Sequence, residues 1–361
     1  LSELEMMTRR FDSLQGLRGL AALVVVISHF LEFFYLTGYD QGTPLEFVRP
    51  VSHLFGILAH KAVWIFFVLS GFVLTHQLCS RTYTYRQYIF ARLMRLYIPV
   101  WAAICLNLAV IYYLISQSKE IKFWIGAHPD YLSLKSVILE LLLVPNGYFL
   151  GPLWSLKWEV AFSLVAFIVW KSSLLIRFPQ VIGIASIASA TTGEALGSHL
   201  LKYLPMFLVG TIIYNSTIRS ASTSSIKPKF EISAIFIAAL LPVVSYILFS
   251  DRFGLAQFRY IADVSISLIS IWIIFIALMK GSLLRRVFEI KPLQALGNIS
   301  FSLYLFHLPV LSLAFYLSDF DFLWTLFAFV LCFPVARVGF SLVESPAQKM
   351  SRKIRTGNQH R

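Results

Sequence analysis

The chain has 361 residues, of which 58% are hydrophobic and only 14% are charged, and its mean hydropathy is +0.73. A soluble domain carries roughly 25% charged residues, so this composition predicts a membrane protein. The formal net charge of +13 does not indicate nucleic-acid binding, because the basic residues cluster in short loops where they set topology. No basic soluble domain that would bind nucleic acid is recognisable.

Apolar runs of about 20 residues recur along the whole chain and predict an all-α, polytopic membrane protein. Ten transmembrane helices are predicted, at 15–36, 60–79, 95–116, 152–170, 180–196, 199–215, 231–249, 258–279, 295–317 and 321–343. The stretch 133–147 is apolar but short, and Pro145-Asn146-Gly147 interrupts it. It is predicted to be a re-entrant or interfacial segment, with an eleventh span as the alternative.

The distribution of basic residues predicts the topology. If the N-terminus is cytoplasmic, most of the 31 Lys and Arg residues fall in internal segments, so both termini are predicted in the cytoplasm. The first apolar run is too long for the core of a signal peptide and is predicted to be retained. We therefore expect a single membrane domain over 1–346 and a basic, disordered cytoplasmic tail over 347–361.

The cysteines predict neither a metal site nor a disulfide framework. Cys79, Cys105 and Cys332 all lie in or beside apolar runs and lack metal-ligand spacing, so no metal is expected.

Two ionisable residues in the first helix predict a functional site. Arg18 and His29 are eleven residues apart, which is about three helical turns, so both lie on one face about 16 Å apart along the axis. Such residues are costly inside a membrane and face a cavity or a partner.

The second and third helices contain two further motifs. Ser70-Gly71 has two equal interpretations, a substrate contact or a notch for close helix packing. Arg92 and Arg95 share a face at the predicted cytoplasmic surface. They are either a topology signal or a clamp for a phosphorylated ligand, since guanidinium groups bind phosphate oxygens bidentately.

The fourth predicted helix begins with Gly151-Pro-Leu-Trp154-Ser155-Leu-Lys-Trp-Glu159. Ser155 and Glu159 are four residues apart and therefore share a face. Because an unpaired carboxylate is expensive in a membrane, Glu159 is predicted to be catalytic or to orient a base.

The last two helices hold the remaining polar residues. Ser300, Tyr304 and His307 follow an i, i+4, i+7 spacing and form one polar stripe. Arg337 and Glu344 are seven residues apart and are predicted to form a structural ion pair.

The order of these motifs resembles the acyltransferase-3 family of integral-membrane acyltransferases. The resemblance rests on Arg-x10-His at Arg18 and His29, on Phe67-Val-Leu-Ser70-Gly71-Phe, on Arg92-Leu-Met-Arg95, on Trp154-Ser155-Leu-Lys-Trp-Glu159 and on Ser300-Phe-Ser-Leu-Tyr304-Leu-Phe-His307. It runs from about 11 to 346. Some members carry a fused extracytoplasmic esterase-like domain, and this chain resembles the stand-alone members that modify exported glycans or their lipid-linked precursors.

The resemblance implies O-acylation, usually O-acetylation, of a sugar hydroxyl by a cytoplasmic acyl-CoA in the bacterial plasma (inner) membrane. Arg18, Arg92 and Arg95 are then expected to hold the phosphates of coenzyme A. His29 is expected to be the general base or a covalent acyl carrier, since the pKa of imidazole lies near neutrality. The expected catalytic set is His29, Glu159 and His307, and the expected substrate-binding set is Ser70, Trp154, Ser155, Ser300 and Tyr304.

Two other classes of protein compete with this interpretation. A secondary transporter or flippase also has about ten helices with intramembrane charges, but the sequence has neither an internal repeat nor matching broken helices. A non-enzymatic scaffold would have no reason to bear the cost of its dispersed ionisable residues.

Overall fold

The structure is a computed structural model. It describes residues 3–36, 48–80, 84–117, 133–144, 150–171, 178–219, 226–248, 258–318 and 321–356. Throughout these ranges the regular secondary structure is helical, and no strand occurs in them.

Thirteen α-helices occur in the described ranges. In chain order they are α1 (Glu3–Leu36), α2 (Val48–Ser80), α3 (Tyr85–Ser116), α4 (Leu134–Leu141), α5 (Leu153–Lys171), α6 (Pro179–Ala195), α7 (His199–Tyr214), α8 (Pro228–Leu248), α9 (Arg259–Lys280), α10 (Leu283–Phe288), α11 (Lys291–Leu317), α12 (Phe322–Gly339) and α13 (Ser345–Thr356).

Every predicted span has a helix at its place. By length and composition, seven stretches are suited to crossing a membrane, namely Phe11–Phe33, Arg49–Cys79, Tyr85–Ser116, Leu153–Trp170, Ile261–Lys280, Lys291–Leu317 and Phe322–Arg355. The predicted spans at 180–196, 199–215 and 231–249 correspond to α6, α7 and α8, with 17, 16 and 21 residues, and their crossing stays a prediction. The chain is an all-α, multi-pass membrane protein.

The chain divides into two units. The first unit comprises Leu1–Leu20, Val63–Thr82 and Ala161–Gly297, and the second comprises Ala21–Ala62, Tyr83–Val160 and Asn298–Arg361. α1, α2 and α5 each contribute residues to both units.

Close packing in the first unit explains the glycine of the Ser70-Gly71 motif. A Cβ atom on Gly71 would collide with the carbonyl oxygen of Phe207 on α7, and one on Gly210 would collide with that of Val68. The backbones of α2 and α7 therefore approach too closely for any side chain at these two positions. This supports the packing-notch interpretation of Gly71.

α3 begins ten residues before the predicted span because a capping box starts it. Thr84 Oγ1 accepts from the Gln87 backbone N–H, and the Gln87 side chain accepts from the Thr84 N–H. This reciprocal pair satisfies two donors at the helix start, where the chain is still polar. A window chosen by hydropathy alone misses it.

α4 lies beside the middle of α3. The side chains of Tyr97 and Trp101 donate to the carbonyl oxygens of Leu142 (3.2 Å) and Leu141 (3.0 Å), at the end of α4. With eight residues α4 is only about 12 Å long, too short to be the alternative eleventh span. Its position favours the re-entrant interpretation, and the predicted break at Pro145-Asn146-Gly147 lies outside the described residues.

Two predictions about the C-terminal region are wrong. Residues 345–356 form α13, which packs against α3 and buries Ala347 and Ser351, so this part of the tail is not disordered. The predicted pair of Arg337 and Glu344 is absent from the described residues, where Arg337 is exposed. A π-helical segment, Phe340–Glu344, separates the two residues. A π turn holds about one residue more than an α turn, so it rotates the later residue by about 100° off the shared face.

Candidate functional site

A pair of histidines lies at the centre of the candidate site in the second unit. His29 on α1 and His307 on α11 are 278 residues apart in sequence, and His29 Nδ1 lies 2.7 Å from His307 Nε2. Their rings are parallel, with an interplanar angle of 5° and a centroid separation of 5.0 Å. His307 is fully buried and His29 is half-buried. The structure therefore brings together two of the three residues predicted to be catalytic.

The backbone of α11 determines which nitrogen of each ring carries a proton. His307 Nδ1 lies 2.9 Å from the carbonyl oxygen of Leu303, which only accepts hydrogen bonds, so Nδ1 is the protonated nitrogen of neutral His307. His307 Nε2 is then an acceptor, and His29 Nδ1 must donate to it. In the neutral pair, the nitrogen of His29 with an available lone pair is therefore Nε2.

Ser155 and Tyr304 join the start of α5 to α11. Tyr304 Oη donates to the Pro152 carbonyl oxygen at 2.8 Å and lies 2.8 Å from Ser155 Oγ. Because the single hydroxyl proton of Tyr304 goes to the carbonyl group, Ser155 is the donor to Tyr304. Both side chains are buried. These bonds fix the first turn of α5 one helical turn away from His307, which is a positioning role for two residues that were predicted to bind substrate.

Trp154 and Ser300 flank this cluster. The ring of Trp154 is half-buried and lies 5.9 Å from the ring of His60 on α2. Ser300 is fully buried on α11, one turn before Tyr304. Their predicted contact with substrate stays a prediction.

Glu159 forms an ion pair with Arg92 of α3. Arg92 Nη2 donates to Glu159 Oε1, and both side chains are largely removed from solvent, with 9% and 22% exposed. The partner that the structure gives Glu159 is thus an arginine, whereas the sequence suggested a histidine. Arg95, one turn further along α3, is half-buried.

Glu344 serves α11 instead of Arg337. Its Oε2 accepts from the Ser302 hydroxyl at 2.6 Å and from the Ser302 backbone N–H at 3.1 Å, and its Oε1 accepts from Gln348 at 2.9 Å. Glu344 therefore holds the segment that carries Tyr304 and His307 against the end of α12.

Two predicted site residues belong to the other unit. Arg18 and Ser70 lie on the parts of α1 and α2 assigned to the first unit, and both are half-buried. Their predicted contacts with coenzyme A and with substrate stay predictions.

Sequence reasoning missed two acidic residues of the second unit. Glu32 follows His29 by three residues, and this spacing alone would have placed both on one face of α1. Glu140 is buried near the end of α4, where it accepts from the Leu150 backbone N–H at 2.9 Å. A carboxylate within an apolar run was the available signal for Glu140.

Comparisons with known proteins agree with this picture. The model of the acyltransferase-3 family, described as an acyltransferase domain, matches residues 11–342. A curated relative, the peptidoglycan O-acetyltransferase OatA of Listeria monocytogenes, is 22% identical over 378 residues, which cover 93% of this chain and 56% of the relative. The chain thus spans little more than half the length of that relative. No solved structure matches the chain significantly.

The family match covers nearly all of the chain and includes both histidines of the pair. This chain belongs to the acyltransferase-3 family of membrane acyltransferases.

Proposed function

We propose that this chain transfers an acyl group, taken to be acetyl, from cytoplasmic acyl-CoA to a sugar hydroxyl of a cell-surface or exported glycan or its lipid-linked precursor. The family supports acyl transfer, and the printed activity of the OatA relative supports acetyl as the group and a glycan as the acceptor. The observation that carries the proposal is the His29–His307 hydrogen bond, which leaves a basic nitrogen on His29. The bacterial inner membrane is the proposed location.

In the direct mechanism His29 is the general base. His29 Nε2 takes the proton of the acceptor hydroxyl as the hydroxyl oxygen attacks the thioester carbonyl carbon. The C–S bond then breaks, and the proton passes from Nε2 to the departing thiolate to give free coenzyme A. His307 accepts from His29 Nδ1 throughout and stabilises the imidazolium, as a carboxylate does in hydrolytic triads.

A covalent mechanism uses the same nitrogen. His29 Nε2 attacks the thioester carbonyl carbon, the C–S bond breaks, and the thiolate leaves to be protonated by solvent. The acceptor oxygen then attacks the acyl-imidazole and releases neutral His29 as it loses its proton. Labelled acetyl retained on the protein in the absence of acceptor distinguishes this route from direct transfer.

The arginines of α3 are proposed to bind the coenzyme A phosphates. A guanidinium group offers five N–H donors in a planar fork, which suits phosphate oxygens. The charge of Arg92 is partly neutralised by Glu159, so Arg95 is expected to contribute more of the attraction. Arg95→Ala should therefore raise the KM for acetyl-CoA and leave the KM for the acceptor unchanged.

The experiment is acetyl-CoA turnover by detergent-purified protein, with membrane glycolipids and soluble peptidoglycan fragments as two acceptor preparations. Wild type is compared with His29→Ala, and Phe30→Leu on the same helix is the control for packing. We expect wild-type transfer that disappears in His29→Ala and survives in Phe30→Leu. If neither preparation is acetylated and acetyl-CoA does not bind, the proposal fails and the transporter alternative gains support, since no gradient exists in detergent.

A further inference from the structure

Glu32 on α1 is a carboxylate without a protein partner in the described part of the chain. It lies inside the predicted membrane span Phe11–Phe33 and is half-buried. No described residue gives it a hydrogen bond or an ion pair. Ionisable residues within membrane helices almost always pair with one another or face a water-filled cavity. Glu140, Glu159 and Glu344 each have a printed partner, so Glu32 is the exception among these four carboxylates of the second unit.

The side chain of Glu32 lies on the same side of α1 as that of His29. Three residues of α-helix separate them by about 60° around the axis and about 4.5 Å along it. Phe30, on the opposite side of Glu32, packs against the rings of Phe322 (6.5 Å) and Phe329 (5.1 Å) on α12. The carboxylate therefore faces away from α12 and lies beyond His29 towards the C-terminal end of α1.

We propose that Glu32 binds the acceptor, and that its carboxylate accepts hydrogen bonds from hydroxyl groups next to the one that His29 deprotonates. This inference rests on the proposed function. An ionised carboxylate only accepts hydrogen bonds and has about four acceptor sites on two oxygens, which suits neighbouring hydroxyl groups of one sugar. Hydrogen bonds to a charged acceptor are the stronger class.

The chemistry of the donor argues against Glu32 as a donor site. The thioester carbonyl and its acetyl methyl group have no hydrogen-bond donor to offer a carboxylate. The phosphates of coenzyme A are anionic, and a carboxylate in a medium of low dielectric constant repels them. Of the two substrates, only the polyhydroxylated acceptor matches Glu32, which makes this residue a determinant of acceptor specificity.

The test separates acceptor binding from donor chemistry. Glu32→Ala, Glu32→Gln and Glu32→Asp are compared with wild type, using whichever acceptor preparation the wild type acetylates. Leu31→Ala is the matched control, because Leu31 is the half-buried neighbour on the same helix and carries no polar group. The measurements are the KM for acceptor, the KM for acetyl-CoA and the hydrolysis of acetyl-CoA without acceptor.

We expect Glu32→Ala to raise the KM for acceptor by about 10- to 100-fold, since hydrogen bonds to charged groups contribute most among neutral and charged pairs. Glu32→Asp should recover part of this loss. Acceptor-independent hydrolysis and the KM for acetyl-CoA should stay at their wild-type values, as they should in Leu31→Ala.

Three results would overturn the inference. One is an unchanged KM for acceptor in Glu32→Ala, or in the isosteric Glu32→Gln if the alanine variant does not fold. Another is an equal loss of acceptor-independent hydrolysis, which would place Glu32 in donor chemistry or in structure. The third is a wild-type protein that acetylates neither preparation, in which case the proposed function fails first and the inference falls with it.

Discussion

Replacing His307 by leucine removes the acceptor for His29 Nδ1–H and keeps a side chain of comparable bulk. The lost bond is 2.7 Å long and lies against a fully buried residue. A buried partner left unsatisfied costs about 1–3 kcal/mol. If that free energy is what holds His29 in the tautomer with a basic Nε2, its loss corresponds to about 5- to 150-fold in kcat/KM, at 1.36 kcal/mol per factor of ten.

The assay measures kcat/KM for acetyl transfer in His307→Leu, His307→Gln and Leu308→Ala. The glutamine amide oxygen reaches the position of Nε2 and accepts from His29, so His307→Gln should stay within about fivefold of wild type if a single acceptor suffices. Leu308 is also fully buried and is the packing control. Nitrogen-15 NMR of labelled histidine reports independently which ring nitrogen of His29 is protonated.

The reasoning would be refuted if His307→Leu kept wild-type turnover while its His29 spectrum still showed a protonated Nδ1. It would also be refuted if Leu308→Ala lost as much activity as His307→Leu, because the loss would then reflect packing. Thermal unfolding of each variant in the same detergent separates lost chemistry from lost fold.

Three further predictions concern the scaffold. Glu231 is fully buried and accepts from three consecutive backbone N–H groups at the start of α10, at 2.8, 3.1 and 2.7 Å. Glu231→Ala should lower the free energy of unfolding by about 1–3 kcal/mol, measured by thermal unfolding, and an unchanged Tm would contradict the capping role. Gly71→Ala should abolish recovery of folded protein because its Cβ would meet the α7 backbone, whereas Gly56→Ala should be neutral because nothing lies within 4 Å of the added atom. Arg92→Ala and Glu159→Ala should each cost about 3–5 kcal/mol by leaving a buried charge behind, and the double variant should be more stable than either single variant. A fully additive double-mutant cycle would contradict that ion pair.

The sequence predicted the helices and the polar faces because both depend on local spacing. Apolar runs place helices, and the spacing of Ser300, Tyr304 and His307 puts three polar side chains on one face of α11. The contact between His29 and His307 spans 278 residues, and a helical wheel contains no information about which face meets which.

The same limit explains the partner of Glu159. The sequence indicates that this carboxylate needs a partner in the membrane, but Arg92 and both histidines satisfy that requirement equally on paper. Only the packing of α3 against α5 selects Arg92. The cost of an isolated charge is thus predictable, while the identity of its partner is a tertiary property.

The π-helical segment at Phe340–Glu344 limits which insertions and deletions this region tolerates during evolution. Removing one of these five residues would restore α-helical register and turn everything after it by about 100°. Ala347 and Ser351 would leave their buried positions, and Glu344 would move away from Ser302. Homologues that share this arrangement should therefore vary here by substitution and place their length changes in the connections between helices.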